Sequence, residues 1–225
     1  MIVGDADARD RGARFAGLHV LCDDDPRWAL DVIDQARAAC AGGAAVVQLR
    51  AKHVPDREAL AWGRELRAIT REAAVAFVVN DRFDLALACE ADAVHLGQND
   101  LPPSALPDEA RARLAVGRST HTLEEARAAC DEPVDYVAYG PVYGTQSKRS
   151  EFTARGLETL AEVVAIVAPK PLVAIGGITL EGLGPVLDAG AAGAAVISAV
   201  VGQDDPEAAT SALVRVFAEG APRRG

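Results

Sequence analysis

The sequence predicts a single (β/α)₈ barrel, an α/β fold formed by one domain. Eight short apolar runs alternate with eight longer segments of helical spacing, and the alternation is strict from Gly17 onward. A chain of 225 residues has room for one such barrel, and no linker, low-complexity segment or short repeat divides it. We expect the barrel to occupy residues 15–220, with polar tails at 1–14 and 221–225 that are disordered.

The elements follow one another in strict order along the chain. The predicted strands are Leu18 to Leu21, Ala45 to Leu49, Ala76 to Val79, Ala93 to Leu96, Leu114 to Gly117, Tyr136 to Tyr139, Leu172 to Ala174 and Ala194 to Ile197. The predicted helices are Arg27 to Ala41, Asp56 to Ala73, Arg82 to Cys89, Pro107 to Arg113, Leu123 to Cys130, Leu157 to Val167, Leu180 to Asp188 and Pro206 to Ala218.

Composition argues against several classes of protein. Asp and Glu number 33 against 23 Lys and Arg, a net charge of −10, so we expect no general binding to nucleic acid or to acidic membranes. The 4 cysteines lie far apart, which predicts neither a zinc site nor a disulfide scaffold and suits a reducing cytoplasm. There is no secretory segment and no apolar run long enough to span a bilayer, so we expect a cytoplasmic protein.

Carboxylates follow the third and fourth predicted strands. In a barrel, residues just after the strands face a common site, so Asp81 and Asp100 should converge there. Such a pair suits Mg²⁺, which typically takes one or two protein carboxylates and fills its other positions with water and substrate phosphate. Each residue also has a simpler interpretation, in which Asp81 caps the next helix and Asp100 occupies a turn.

A basic segment follows the second strand. Alternate residues of an extended chain point the same way, so Gln48, Arg50 and Lys52 share one face. An amide and two cations there suit an anionic ligand that carries a ring nitrogen or amino group, although a solvated loop is the simpler interpretation. The long loop after strand six, residues 140–155, adds Lys148 and Arg149 to the same rim, and loops of this length are often functional.

Small residues end the last two strands. Gly176 and Gly177 follow strand seven, and Ser198 follows strand eight. In barrels the loops at these positions commonly offer backbone N–H groups to a phosphate. Since a Gly-Gly pair also forms ordinary turns, its position after strand seven is what favours a phosphate site.

Taken together, the segments at these strand ends resemble the thiamine-phosphate synthase family. The matching segments occur in the family's order from strand one to strand eight, and each would be weak evidence alone. They are QLRAK at Gln48 to Lys52, NDRFDLALACEADAVHLGQNDLP at Asn80 to Pro102, STHTLEEA at Ser119 to Ala126, DYVAYGPVYGTQSK at Asp135 to Lys148, AIGGI at Ala174 to Ile178 and AAVISA at Ala194 to Ala199.

The resemblance implies a Mg²⁺-dependent transferase that joins 4-amino-2-methyl-5-hydroxymethylpyrimidine diphosphate to a thiazole phosphate. By resemblance, Asp81 and Asp100 would bind Mg²⁺, and Arg50, Lys52 and Lys148 would act on the leaving diphosphate. The pyrimidine diphosphate would be held by Gln48, Arg50, Lys52, Asn80, Ser119 and Lys148, and the thiazole phosphate by Thr145, Gln146, Ser147, Gly177, Ile197 and Ser198, with Ile197 acting through its backbone.

Three positions depart from the family pattern: Arg118, Gly144 and Ser147. Ser147 keeps a hydroxyl, whereas Arg118 places a charge next to Ser119. Two other functions stay open, a thiazole tautomerase on the same scaffold, with His121 as acid or base, and a non-catalytic protein that binds thiamine intermediates. A homo-oligomer is also possible.

Overall fold

The computed structural model describes residues 8–144 and 153–220. Eight parallel strands close into a barrel in which each strand pairs with the next and β8 pairs with β1. The strands are β1 Gly17–Asp23, β2 Val46–Arg50, β3 Ala76–Asn80, β4 Ala93–Leu96, β5 Ala115–Thr120, β6 Tyr136–Tyr139, β7 Leu172–Ile175 and β8 Gly193–Val196. The predicted (β/α)₈ barrel is confirmed.

Helices connect the strands and cover the outside of the barrel. They are α1 Ala8–Ala13, α2 Val32–Ala41, α3 Asp56–Glu72, α4 Phe83–Ala88, α5 Asp108–Arg113, α6 Leu123–Asp131, α7 Gly156–Val167, α8 Leu180–Asp188, α9 Ser198–Val201 and α10 Pro206–Gly220, with a 3₁₀ turn at Pro103–Ala105. The interface between the strands and the helices is apolar, and Leu49, Leu66 and Leu160 are among the fully buried side chains.

The amino-terminal segment differs from the sequence prediction. Residues 8–13 form α1, whereas the sequence analysis assigned them to a disordered tail. Arg11 Nη2 donates 2.9 Å to the Leu114 carbonyl at the end of α5. Phe15, just beyond α1, stacks on Tyr136 of β6 with ring centroids 4.9 Å apart. These tertiary contacts stabilise a polar helix of 6 residues that local propensity alone would not hold.

Two further boundaries were predicted wrongly. The first strand continues past Leu21 to Asp23, and α2 begins at Val32 rather than near Arg27. Asp31 caps α2, because its side chain accepts a hydrogen bond of 2.9 Å from Asp34 N. The residues between β1 and α2, some of which were predicted to be helical, form part of the barrel mouth.

The strand register decides which polar residues meet. Asp23 of β1 lies beside Arg50 of β2, and Asn80 of β3 lies beside His95 of β4. Because side chains alternate along a strand, Gln48 and Arg50 point to the same side as Asp23, into the barrel. The barrel therefore gathers charged and polar groups at the carboxyl ends of β1 to β4.

Candidate active site

A small cavity of about 30 Å³ opens inside the barrel. Its wall includes Gln48, Asn80 and Ser119, three residues that the sequence analysis assigned to one substrate. The remaining lining residues are His19, Leu21, His95, Tyr136, Ala138, Val173, Ile175 and Ala195. Six of these 11 lining residues are polar, which suits a ligand that forms hydrogen bonds.

His95 organises one side of this cavity. Its Nε2 lies 2.8 Å from Ser119 Oγ and its Nδ1 lies 3.0 Å from the Tyr136 hydroxyl. Gly117 makes room for the pair, because a Cβ there would lie 2.2 Å from the Tyr136 ring and 2.5 Å from His95 Nδ1. These hydrogen bonds fix the orientation of the Ser119 hydroxyl.

Arg50 is held at the mouth by a buried carboxylate. Its Nη1 donates to Asp23 Oδ1 over 2.5 Å, and the Asp23 side chain is fully buried while that of Arg50 is 16% exposed. Asp23 Oδ2 also accepts a hydrogen bond of 3.0 Å from Trp28 Nε1. Both carboxylate oxygens of Asp23 are thus engaged.

Lys52 sits in a segment that Asp24 shapes. The Asp24 carboxylate accepts from the backbone N–H groups of Lys52, His53 and Val54, at 2.8, 2.7 and 3.1 Å. The Lys52 ammonium in turn donates to the carboxylate of Asp81. One cation from β2 is therefore paired with the first predicted metal ligand.

Asp81 and Asp100 lie on the same side of the barrel, near enough for the Asp100 carboxyl to influence the pKa of Asp81. Burial raises the pKa of Asp81, the Lys52 ammonium opposes that rise, and the Asp100 carboxyl adds to it. Asp81 also has a φ of 65°, a left-handed backbone that Asp tolerates and that often occurs at functional sites.

The segment that carries Asp100 is tied down from behind by Arg118. Asp100 Oδ2 accepts from Gly97 N over 2.6 Å, and Arg118 Nη1 donates to the Gly97 carbonyl over 2.6 Å. Arg118 Nε lies 3.1 Å from Glu132 Oε2, an ion pair whose N–H is not aligned as a hydrogen bond. Arg118 therefore braces the Asp100 segment from outside the barrel, instead of adding charge to the cavity.

A second, open cleft of about 530 Å³ lies next to the barrel mouth. Gly177 and Ser198 both line it, together with Arg27 and Trp28, which follow β1. Ile197 is buried at the end of β8 and begins the turn into α9. The structure thus brings the predicted residues of strands seven and eight to a common cleft.

Gly177 is constrained by packing against the chain itself. It has a φ of +67°, and a Cβ there would lie 2.3 Å from the Gly144 carbonyl oxygen and 2.9 Å from Tyr143 Cβ. A larger residue would displace the segment after β6, in addition to any effect on a bound phosphate.

The chain is similar to known proteins over most of its length. The family model for thiamine monophosphate synthase matches residues 18–200, which run from β1 into α9. The chain belongs to the thiamine monophosphate synthase family. It is 46% identical over 218 residues to the thiamine-phosphate synthase of Anaeromyxobacter dehalogenans, covering 96% of this chain and 94% of that protein.

Two further comparisons agree. The thiamine-phosphate synthase of Thermus thermophilus is 44% identical over 199 residues, 87% of this chain and 94% of that protein. A solved thiamine phosphate pyrophosphorylase from Pyrococcus furiosus superposes with a TM-score of 0.82 at 37% identity, covering 94% of this chain and 98% of that one. The family prediction is confirmed, and the chain is an enzyme of thiamine biosynthesis, a transferase.

Some residues that the family resemblance assigned to the site lie outside the described residues. They are Thr145, Gln146, Ser147 and Lys148. The chain on either side is well anchored, since Val142 N donates to the Ile175 carbonyl over 2.9 Å and Gly156 N donates to the Val142 carbonyl over 3.0 Å. The two ends of this loop therefore lie together beside the end of β7.

The sequence analysis did not identify four residues of the candidate site. His19, His95 and Tyr136 were included in apolar strands, and Asp23 lay beyond the predicted end of β1. The alternation of side chains along a strand could have indicated His95 and Tyr136. Residues an even number of positions apart share a face, so His95 shares one with Gly97 and Tyr136 shares one with Gly140, and both glycines follow their strands. The Nδ1 of His121, the alternative acid or base, lies 2.7 Å from the Gly140 carbonyl oxygen just beyond β6.

Across residues 8–144 and 153–220 of this family member, no helix is both long and apolar enough to cross a membrane.

Proposed function

We propose that the enzyme joins 4-amino-2-methyl-5-hydroxymethylpyrimidine diphosphate to a thiazole phosphate and releases diphosphate. The observation that carries this proposal is the meeting of Asp81 and Asp100 beside Lys52, with Arg50 on the neighbouring strand. Two carboxylates and two cations at the mouth of an enclosed cavity suit a departing diphosphate. The family match supports the same activity.

The pyrimidine ring would bind over the polar groups of the barrel cavity. Gln48, which is only 4% exposed, offers an amide, and Asn80 and Ser119 add further polar atoms to the wall. Such groups can pair with ring nitrogens and an amino group. The diphosphate would then extend to the mouth, where Arg50 and Lys52 supply positive charge, with Lys148 joining them from the loop after β6.

The residues present fit a magnesium ion. Among residues 8–144 and 153–220, no group of three or more His, Cys, Asp and Glu side chains is arranged to hold a metal. A pair is what Mg²⁺ commonly takes from a protein when phosphate and water supply its other ligands. The raised pKa of Asp81 also indicates carboxyl groups that a cation would stabilise in their charged form. Asp81 and Asp100 would therefore hold the ion, which when bound neutralises charge on the diphosphate oxygens.

The thiazole phosphate would lie in the open cleft. Gly177, Ser198 and the backbone of Ile197 would border its phosphate, and Thr145, Gln146 and Ser147 would contribute from the loop after β6. The cleft adjoins the barrel mouth, so the thiazole nitrogen could approach the pyrimidine methylene. Cytoplasmic location and a homo-oligomeric assembly stay predictions.

The chemistry requires no protein nucleophile. The bond between the pyrimidine methylene and the diphosphate oxygen breaks first, and the electron pair leaves with diphosphate. Arg50 and Lys52 stabilise the charge that grows on the departing oxygens, because they are already positioned when it develops, and Lys148 would add to this from the loop after β6. The aminopyrimidine delocalises the positive charge on its methylene, and the thiazole nitrogen then forms the new carbon–nitrogen bond.

Product analysis tests this proposal. Purified enzyme is incubated with both substrates and Mg²⁺, and thiamine phosphate is measured by chromatography and mass spectrometry. The proposal predicts thiamine phosphate only when both substrates are present. Conversion of the thiazole phosphate alone into an isomer would indicate a tautomerase, and binding without any conversion would indicate a non-catalytic protein.

A further inference from the structure

Asp23 is a buried carboxylate that the proposed chemistry does not use. Its side chain is fully buried at the carboxyl end of β1, inside the barrel mouth. A buried carboxylate is costly unless it is well paired, so its partners indicate its purpose. Those partners are Arg50, which the proposed function assigns to the diphosphate, and Trp28, which lines the neighbouring cleft.

The surroundings of Asp23 fix it in place. Gln35 of α2, itself fully buried, accepts from Asp23 N over 2.8 Å and donates to the Asp23 carbonyl over 3.1 Å. A third hydrogen bond, 2.8 Å to the Leu30 carbonyl, orients the Gln35 amide. The backbone and the side chain of Asp23 are therefore both held by hydrogen bonds, and the carboxylate that pairs with Arg50 has little conformational freedom.

We infer that Asp23 is a positioning residue for the transfer reaction, holding Nη1 of the Arg50 guanidinium so that its other N–H groups face the leaving diphosphate. The inference rests on the proposed function. Arg has five N–H donors in a rigid planar fork, so holding one of its terminal nitrogens restricts the directions of the rest. Preorganised donors of this kind stabilise developing charge without reorganising during the reaction.

Positioning and simple charge attraction predict opposite results. Removing a carboxylate beside Arg50 raises the local positive potential, so charge attraction alone predicts tighter binding of diphosphate. Loss of positioning predicts weaker binding. The substitution Asp23→Asn separates the two, because the amide oxygen can still accept from Trp28 while the amide NH₂ then faces the Arg50 guanidinium, donor against donor.

The test measures binding of inorganic diphosphate with Mg²⁺ by calorimetry and bond formation in single turnover. For Asp23→Asn we expect diphosphate to bind about tenfold more weakly and the single-turnover rate to fall by about tenfold to a hundredfold. The KM for the thiazole phosphate should change less than about twofold, because Trp28 keeps its acceptor. Asp34→Asn is the matched control, since Asp34 is exposed on α2 and carries the same charge.

A double-mutant cycle shows whether Asp23 acts through Arg50. In an Arg50→Ala background, Asp23→Asn should change the single-turnover rate by less than about twofold. Independent, additive effects would overturn the inference, as would unchanged or tighter diphosphate binding in Asp23→Asn. Should Asp23→Asn fail to fold, Asp23→Glu carries the test: it keeps the charge but moves the guanidinium, so wild-type kinetics in that variant would also overturn the inference.

The wild-type enzyme separates this inference from the proposed function. If the wild type forms no thiamine phosphate, the proposed function fails. If the wild type is active and Asp23→Asn matches it, only the role of Asp23 fails.

Discussion

The Lys52 ammonium, just beyond β2, donates a hydrogen bond to the carboxylate of Asp81, just beyond β3. This contact joins a cation assigned to the diphosphate with a carboxylate assigned to Mg²⁺. Lys52 is 41% exposed at its side chain, so it can turn toward a bound substrate at little cost. The pair thus links the two halves of the proposed diphosphate site.

Lys52→Met should weaken binding of the pyrimidine diphosphate. A hydrogen bond to a charged group contributes about 1.5 kcal/mol or more, so we expect the KM for this substrate to rise at least about tenfold at saturating Mg²⁺. Steady-state kinetics measure this. Lys170→Met is the control, because Lys170 Nζ donates to the carbonyls of Ala129, Cys130 and Glu132, and its loss should lower the melting temperature but leave this KM unchanged. An unchanged KM in Lys52→Met would exclude Lys52 from the substrate site.

Arg118→Met should raise the Mg²⁺ concentration needed for half-maximal activity. Without the bond from Arg118 to the Gly97 carbonyl, the segment holding Asp100 is freer, and losing one hydrogen bond of about 1 kcal/mol corresponds to about fivefold. Arg118→Lys should recover part of the loss. Arg127→Met on α6 removes an exposed ion pair to Glu162 and should have no effect. If Arg118→Met shows a normal Mg²⁺ requirement, the bracing role is wrong.

His19 should make the protein less stable in acid. Burial lowers its pKa from 6.5 to about 4, against the effect of its hydrogen bond to the Phe15 carbonyl. In the unfolded chain His19 therefore binds a proton near pH 6.5, whereas in the folded chain it binds one only near pH 4. The free energy of unfolding consequently falls as the pH drops from 6.5 to about 4. The loss is at most about 3 kcal/mol.

Denaturant unfolding from pH 7 to pH 4 tests this expectation. His19→Gln should flatten the dependence of the unfolding free energy on pH, whatever its effect on absolute stability. His53→Gln changes an exposed histidine and should leave the dependence as in the wild type. Equal slopes in the wild type and His19→Gln would mean that His19 does not cause the acid sensitivity.

Lys148 lies outside the described residues, and its assignment stays a prediction from the sequence. If its ammonium contacts the leaving diphosphate, Lys148→Ala should reduce the single-turnover rate by about 10²-fold to 10³-fold, as for the loss of one preorganised donor. Its neighbour Arg149 is the natural control, because adjacent residues of an extended segment point in opposite directions. Comparable rates in Lys148→Ala and the wild type would remove Lys148 from the mechanism.

Much of the barrel could be predicted because its information is local. Apolar runs and helical spacing repeat along the chain, and parallel strand ends share one face, which is why Asp81 and Asp100 were expected near each other. Partners across strands were harder to predict. Periodicity indicates that Arg50 points inward, but only the register of β1 against β2 shows that Asp23 meets it.

The remaining differences have a common physical cause. Helix α1 is short and polar, and it persists through contacts such as Arg11 with the end of α5. Arg118 lay past the predicted end of the fifth strand, whereas β5 continues to Thr120 and directs Arg118 away from the side of Ser119, toward Glu132. In each case tertiary packing, which a local pattern does not contain, determined the outcome.

The most direct test of the account measures thiamine phosphate and released diphosphate together as Mg²⁺ is varied. The wild type should form one diphosphate per thiamine phosphate and should be inactive in chelator. Asp81→Asn and Asp100→Asn should each lose most activity, with at best partial rescue by excess Mg²⁺, whereas Asp84→Asn, which removes an exposed partner of Arg82, should match the wild type. Full activity of both Asp81→Asn and Asp100→Asn in chelator, or thiamine phosphate formed without release of diphosphate, would contradict the account.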